Sequence, residues 1–477
     1  MANVLLRGIS ACEVVDASMK KILLVSALAI SSVVACAETF KAGDRVSFFG
    51  DSITHGGVWH RNVILYYLTR FPDRDVAFMN SGSGGDNAAN ALKVRLEPDV
   101  VARKPTDVGV MFGMNDFGFR EYGTNATPAQ VARQAQRLSE YARNMDLLVS
   151  AIEKGIPGVR LYLMTPTPFD DTAVYPDGKK VNEHPGANGG LTAAAQVVAE
   201  LADRTGATLV DLNAAVNAYF RAERQKDDGV TFASDRIHPN SATHFMMAHR
   251  FLEAQNAPRV VSDVKLQAGR VLGARNAEVS DVKWTEGRVS FTLIEKSLPW
   301  PVDAEARCGG ETILRAADDF NQEVLALYGL ADGEWTLKID GVTVASASAR
   351  QWEIGVDLGG NEKTPQYRQA LEVAHANHGA HDRMAEIQAT NVSIIRHITD
   401  RMLHEKLDPA DAAAREAYVQ KRLPTLQPWD VPRWKAALRD WDDNDRLIRS
   451  VDEFWPKLRA QAKPRPHFYE LTVSTAK

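Results

Sequence analysis

Between residues 44 and 257, short apolar runs alternate with longer amphipathic stretches, the pattern of a layered α/β domain in which helices separate buried strands. Five brief runs rich in Val, Phe, Leu and Met read as strands: 45–49, 75–80, 108–112, 160–164 and 208–212. The longest helical period, 129–153, places Val131, Ala135, Leu138, Ala142, Met145 and Val149 at three- and four-residue steps. Thr127 and Pro128 supply its N-cap and first-turn proline, and Gly155 and Pro157 stop it. After Pro258 the texture changes to β-branched alternation, as in 288–294 and 335–344, with Asp340-Gly341 as a hairpin turn. A charged helical stretch, about 364–463, interrupts this β pattern before a last strand-like run at 467–474. The expected organisation is a leader with its upstream segment over 1–37, an α/β domain over 38–258, and a β-sandwich-like module with a helical insertion over 259–477.

Composition narrows the class without changing that outline. At 45% hydrophobic and 25% charged residues the chain is of globular type, and 477 residues exceed one ordinary domain. The formal net charge of −5 is spread without a basic block, which argues against a nucleic-acid partner.

The start of the chain reads as an export signal. Met19-Lys20-Lys21 precedes an apolar run, 22–34, that is too short for a membrane span. Ala35-Cys36-Ala37 fits cleavage before Glu38, whereas Val33-Val34-Ala35-Cys36 resembles a lipobox that would make Cys36 a lipidated N-terminus; both remain open. The expected destination is therefore the periplasm, the exterior or a lipid anchor at the cell surface. Of the 3 cysteines, only Cys308 lies beyond the leader, so no intrachain disulfide is expected there, and Cys308 reads as a buried small apolar residue.

The chemistry gathers at strand ends. Phe48-Phe49-Gly50-Asp51-Ser52-Ile53-Thr54 puts Ser52 directly after the first strand, at the carboxyl edge where open α/β sheets bind ligands. The second strand leads into Asn80-Ser81-Gly82-Ser83-Gly84-Gly85-Asp86, whose small residues let backbone N–H groups approach a substrate oxygen. The third ends in Gly113-Met114-Asn115-Asp116, adding a neutral amide donor, and the two together form an oxyanion hole. Asp235 and His238 lie three residues apart in Ser234-Asp235-Arg236-Ile237-His238-Pro239-Asn240, just before a helix. On a turn, that spacing lets the carboxylate orient one imidazole nitrogen while the other takes a serine proton.

These four ordered blocks resemble the SGNH or GDSL hydrolases, with Ile53 standing where that family usually has Leu. The resemblance implies a flavodoxin-like three-layer α/β/α sandwich with a parallel sheet. It also implies Ser52 as nucleophile, His238 as base, Asp235 as its partner, and an oxyanion hole from the Ser52 and Gly85 N–H groups and Asn115. The expected function is an exported carbohydrate esterase that removes acetyl or other small acyl groups from poly- or oligosaccharides, with an acylated carbohydrate as partner and no cofactor or metal. A lipase, lysophospholipase or thioesterase with the same triad is the rival enzyme, and a non-catalytic glycan-binding surface protein the rival of another class.

Other residues have two readings. Asp51 and Trp59 are candidate substrate contacts; Asp51 is equally suited to cap a helix, and Trp59 and His60 to pack in the core. His375, His378 and His381 recur at three-residue intervals but lack a zinc-site pattern. Trp429, Trp434 and Trp441 read as packing residues between helices, and 169–190 as a long loop beside the substrate site. The chain's oligomeric state is not encoded in any of these signals.

Overall fold

Apolar runs of the first domain pair side by side in the computed structural model, which describes residues 38–171, 184–227 and 229–473. The expected export signal with Cys36, and the middle of the 169–190 loop, lie outside the described residues. Strands β1 (Arg45–Gly50), β2 (Ala77–Gly82), β3 (Asp107–Met111), β4 (Arg160–Met164) and β5 (Thr208–Val210) form one parallel sheet in the order β2-β1-β3-β4-β5. Both faces are covered, so the strands are buried along nearly their whole length instead of alternating between buried and exposed positions. Phe48 points into a core with Trp59, Phe245 and Phe251, whereas Phe49 points into the opposite core with Phe112, Tyr141 and Met145. The order reverses between β1 and β3, and this topological switch opens a crevice at their carboxyl ends. Ser52 follows β1 there.

The long helix spans Pro128–Gly155, with a capping box between Thr127 and Gln130 and Pro128 at its first turn. Its buried face begins only at Tyr141, and Val131 is exposed.

Beyond residue 258 the chain forms β6 (Val260–Gln267), β7 (Arg270–Arg275), β8 (Ala277–Thr285), β9 (Arg288–Glu295), β10 (Gln322–Tyr328), β11 (Glu334–Ile339), β12 (Val342–Ser348), β13 (Val356–Asp357) and β14 (His467–Val473). One sheet has the order β13-β10-β6-β7 and the other β12-β11-β14-β9-β8. Leu266, Leu327, Phe291, Trp335, Leu337 and Tyr469 fill the space between them. Positive φ at both Asp340 and Gly341 makes the tight β11–β12 turn that this dipeptide favours.

Helices between β13 and β14 do not stand apart from the α/β layer. Val373, Met384, Trp455 and Leu458 belong to the same core cluster as Trp59 and Phe251. Trp300 joins it by stacking on Phe245 at 4.3 Å and donating its indole N–H to the Asn62 carbonyl at 3.0 Å. Residues Ala37–Lys477 accordingly form a single compact unit. Trp434 is buried among the inserted helices and Trp441 packs beside it, but Trp429 is 65% exposed, contrary to its expected packing role. Cys308 is exposed as well, because its short turn, Ala306–Gly309, buries only Ala306. Among the described residues no helix is long and apolar enough to cross a membrane.

Candidate active site

Local hydrogen bonding sets Ser52 in place. The turn after β1 is so tight that a Cβ on Gly50 would stand 2.6 Å from the Met111 carbonyl oxygen, which demands glycine. Asp51 then caps the helix Ser52–Gly56, its carboxylate accepting from the Ile53 N–H at 3.0 Å. Ser52 is the first residue of that helix, so its N–H has no intrahelical acceptor and is available to a ligand.

Residues 232–240 bring the imidazole to it. Buried Asp170 accepts from the Phe232 N–H at 3.0 Å and from Arg224 at 2.7 Å, while Arg236 donates to its carbonyl at 2.9 Å. Asn240 caps the following helix, Ser241–Ala254. Between these anchors, one Asp235 oxygen accepts from the N–H groups of Ile237 at 3.0 Å and His238 at 2.8 Å. The other meets His238 Nδ1 at 2.6 Å, and His238 Nε2 lies 2.8 Å from Ser52 Oγ. Hydroxyl, imidazole and carboxylate thus form one continuous hydrogen-bonded line.

The electrostatics suit a base. Burial would raise the Asp235 carboxyl, but hydrogen bonds from the His238 ring and from the His238 and Ile237 N–H groups hold it at about 2. The hydrogen bond that Asp235 accepts from the ring raises the His238 pKa against partial burial, and Asp51 adds to the rise. A carboxylate that stays ionised keeps the imidazole in the tautomer whose Nε2 faces the serine.

The expected oxyanion donors Gly85 and Asn115 follow the ends of β2 and β3, the two neighbours of β1 in the sheet. Asn115 donates one amide hydrogen to the Asp86 carbonyl at 2.8 Å, fixing the side chain while its second hydrogen stays available. In the glycine-rich loop the Gly82 N–H is taken by Asn80 Oδ1 at 2.9 Å and the Ser83 N–H by the Gly50 carbonyl at 3.0 Å. Gly84 and Gly85 are exposed, and among the described residues neither N–H has a protein acceptor; Gly85 sits at φ +73°.

Two expected substrate contacts are elsewhere. Trp59 is 0% exposed and packs against Phe48, His60 and Phe251, because its helix turns that face toward the sheet. Asp51 is 2% exposed and occupied with its cap; burial pushes its carboxyl up to about 7, with further rises from Asp116 and Asp86. Both are corrected from substrate contacts to structural residues. His375 is exposed, His378 half-buried and His381 buried against His60, so the three rings diverge around their helix. Among the described residues no cluster of His, Cys, Asp and Glu is placed to hold a metal ion.

Other residues at the site had no readable signal. Arg95, buried, reaches Asp86 at 2.6 Å, Asp99 at 2.8 Å, the Ser81 carbonyl at 2.5 Å and the Gly50 carbonyl at 3.3 Å. One guanidinium thereby ties the ends of β1 and β2 to the loop that carries Gly85 and anchors Asn115. Its position within an amphipathic helical stretch reads as a solvated face, and only the pairing with two buried carboxylates gives it away. Arg396, from the C-terminal helices, pairs with Asp99 from the other side.

Against this geometry the comparisons with known proteins agree. Residues 48–244 match the model of the GDSL-like Lipase/Acylhydrolase family. An acetylxylan esterase of Geobacillus stearothermophilus is 28% identical over 226 residues, covering 44% of this chain and 93% of that protein. The similarity to a solved gut microbial diltiazem-metabolizing enzyme reaches further, covering 92% of this chain and 100% of that one at 28% identity and a TM-score of 0.80. The α/β sheet, the family match over residues 48–244 and the esterase relative together make this chain a carboxylic ester hydrolase whose α/β region is similar to the GDSL-like lipase/acylhydrolase family.

Proposed function

We propose that the chain is an exported carbohydrate esterase that removes acetyl or other small acyl groups from poly- or oligosaccharides through a covalent acyl-enzyme. The observation that carries this reading is the unbroken line from Asp235 through His238 to Ser52. Ser52 Oγ attacks the ester carbonyl carbon as His238 Nε2 takes its proton. The N–H groups of Ser52 and Gly85 and the Asn115 amide receive the oxyanion. His238 then protonates the departing sugar oxygen. Water attacks the acyl-enzyme as His238 takes its proton, the carboxylic acid leaves, and Ser52 Oγ recovers the proton. Asp235 stays ionised throughout and stabilises the imidazolium.

The acetylxylan esterase relative supports a carbohydrate as the alcohol portion, and the leader-like start of the chain supports export. A long-chain lipase finds less support, since the groove at Ser52 is lined by His55, Glu386 and Arg433 among small residues. The test is acetate release from acetylated xylan and xylo-oligosaccharides. Ser52→Ala should lose at least several hundredfold in rate. Turnover of acetyl esters by Ser52→Ala at the parent rate would end the covalent reading.

A further inference from the structure

A groove of about 520 Å³ opens at Ser52, and its far wall comes from residues more than three hundred positions away. His55 and Gly56 form the near side; Glu386 and Ala389 follow from the helix Pro365–Ile387 and its continuation, and Arg433 and Ala436 from the helix Val431–Asp440. This wall is fastened to the segment that presents the serine. His55 Nε2 contacts the Ala385 carbonyl at 3.3 Å, and the His55 carbonyl accepts from Asn80 at 2.8 Å. His60 packs on His381 with ring centres 4.9 Å apart, and a Cβ on Gly57 would stand 2.7 Å from the His381 ring. The C-terminal helices thus supply one wall of the groove at Ser52.

We infer that this groove is the subsite for the sugar portion of the ester, and that Arg433 and Glu386 select for it by hydrogen-bonding its hydroxyl groups. The inference rests on the esterase reading above and names the alcohol side of the same site. Size decides first: whole small-molecule sites occupy roughly 300–1,000 Å³, so a space of this volume far exceeds the methyl group of an acetyl ester. Polarity decides second. Arg433 is half-exposed, with its nearest carboxylate, Asp430, 3.6 Å away, which leaves guanidinium donors for a ligand. Glu386 accepts from Arg383 at 2.5 Å through one oxygen and keeps acceptor capacity on the other. A donor fork and a carboxylate suit vicinal hydroxyls, whereas a hydrocarbon acyl chain would strip water from both without replacing its hydrogen bonds. Gly56, Ala389 and Ala436 add little side-chain bulk to its two sides.

The test compares kcat/KM for acetylated xylotriose with that for vinyl acetate, whose leaving group has no hydroxyls to bind. Arg433→Ala and Glu386→Gln should each lower the ratio of the two roughly 10- to 100-fold, the size expected for a lost hydrogen bond to a charged group. Ala436→Trp, which fills the groove, should remove the preference for the sugar ester. Both Arg433 and Glu386 are exposed, so their substitution spares the core and the ratio stays readable even where Ala436→Trp fails to fold. Equal losses on both esters, or no change in either, would overturn the subsite and leave the esterase intact. A changed preference between acetyl and butanoyl esters of one alcohol would also overturn it, placing the acyl group in the groove. No turnover of either ester by the parent protein would overturn both readings.

Discussion

Replacing Arg95 with methionine separates the support of the site from its chemistry. The Arg95 side chain is 5% exposed, and its partners Asp86 and Asp99 are 2% and 0% exposed, so water does little to weaken either pair. Asp99 would retain Arg396 and Asp86 would retain the Asn90 amide at 2.6 Å, which leaves Asp86 as the carboxylate without a countercharge. Breaking a buried pair from one side costs about 3–5 kcal/mol. For a compact unit of about 440 residues, an unfolding entropy of roughly 2.1 cal/mol/K per residue gives ~0.9 kcal/mol/K, and hence a Tm lower by ~3–5 °C. Differential scanning calorimetry reads that shift directly. Asn115 should suffer too, because its amide hangs from the Asp86 carbonyl, and a displacement near 1 Å at a reacting group lowers kcat/KM by about 10²-fold. Adding Asp86→Asn to Arg95→Met removes the stranded charge and should restore more than half of the lost Tm. A single variant within about 1 °C of the parent, or a double variant no more stable than the single, would refute the argument from an uncompensated charge.

Two further outcomes follow from the geometry. Asn115→Ala removes one oxyanion donor and should lower kcat about 10²- to 10³-fold with a much smaller change in KM; a kcat within tenfold of the parent would remove Asn115 from the oxyanion hole. The pH profile of kcat/KM should fall on the acid side as His238 becomes protonated and ceases to be a base. Since the hydrogen bond that Asp235 accepts from the ring raises the His238 pKa, the inflection should lie above the ordinary value of about 6.5. Asp235→Asn should move it to lower pH and reduce the plateau rate, and an unmoved inflection would deny that Asp235 holds the imidazole.

The parts of this protein written plainly in its sequence are those decided by neighbours along the chain. A carboxylate three residues before an imidazole can accept from the N–H groups of that residue and the one before it as well as from the ring, so Asp235 and His238 assemble on their own turn. Asp340-Gly341 takes the positive φ values of its hairpin, and Thr127 with Pro128 starts a helix, for equally local reasons. The ends of β1, β2 and β3 carry Ser52, the glycine loop and Asn115 because parallel strands with apolar cores align their carboxyl ends.

Tertiary packing decided the rest. Nothing within one turn of Trp59 distinguishes a tryptophan facing a substrate from one facing Phe48 and Phe251; the choice belongs to the side of the helix that meets the sheet. Arg95 looks like any basic residue of a solvated helix until the fold delivers Asp86 and Asp99 to it in a space closed to water. Arg433 and Glu386 come to line the same groove as Ser52 because the inserted helices share a core with the α/β layer. Apolar burial is non-directional, so a sequence can record which residues seek the interior while leaving to the folded chain which distant surfaces come to face each other.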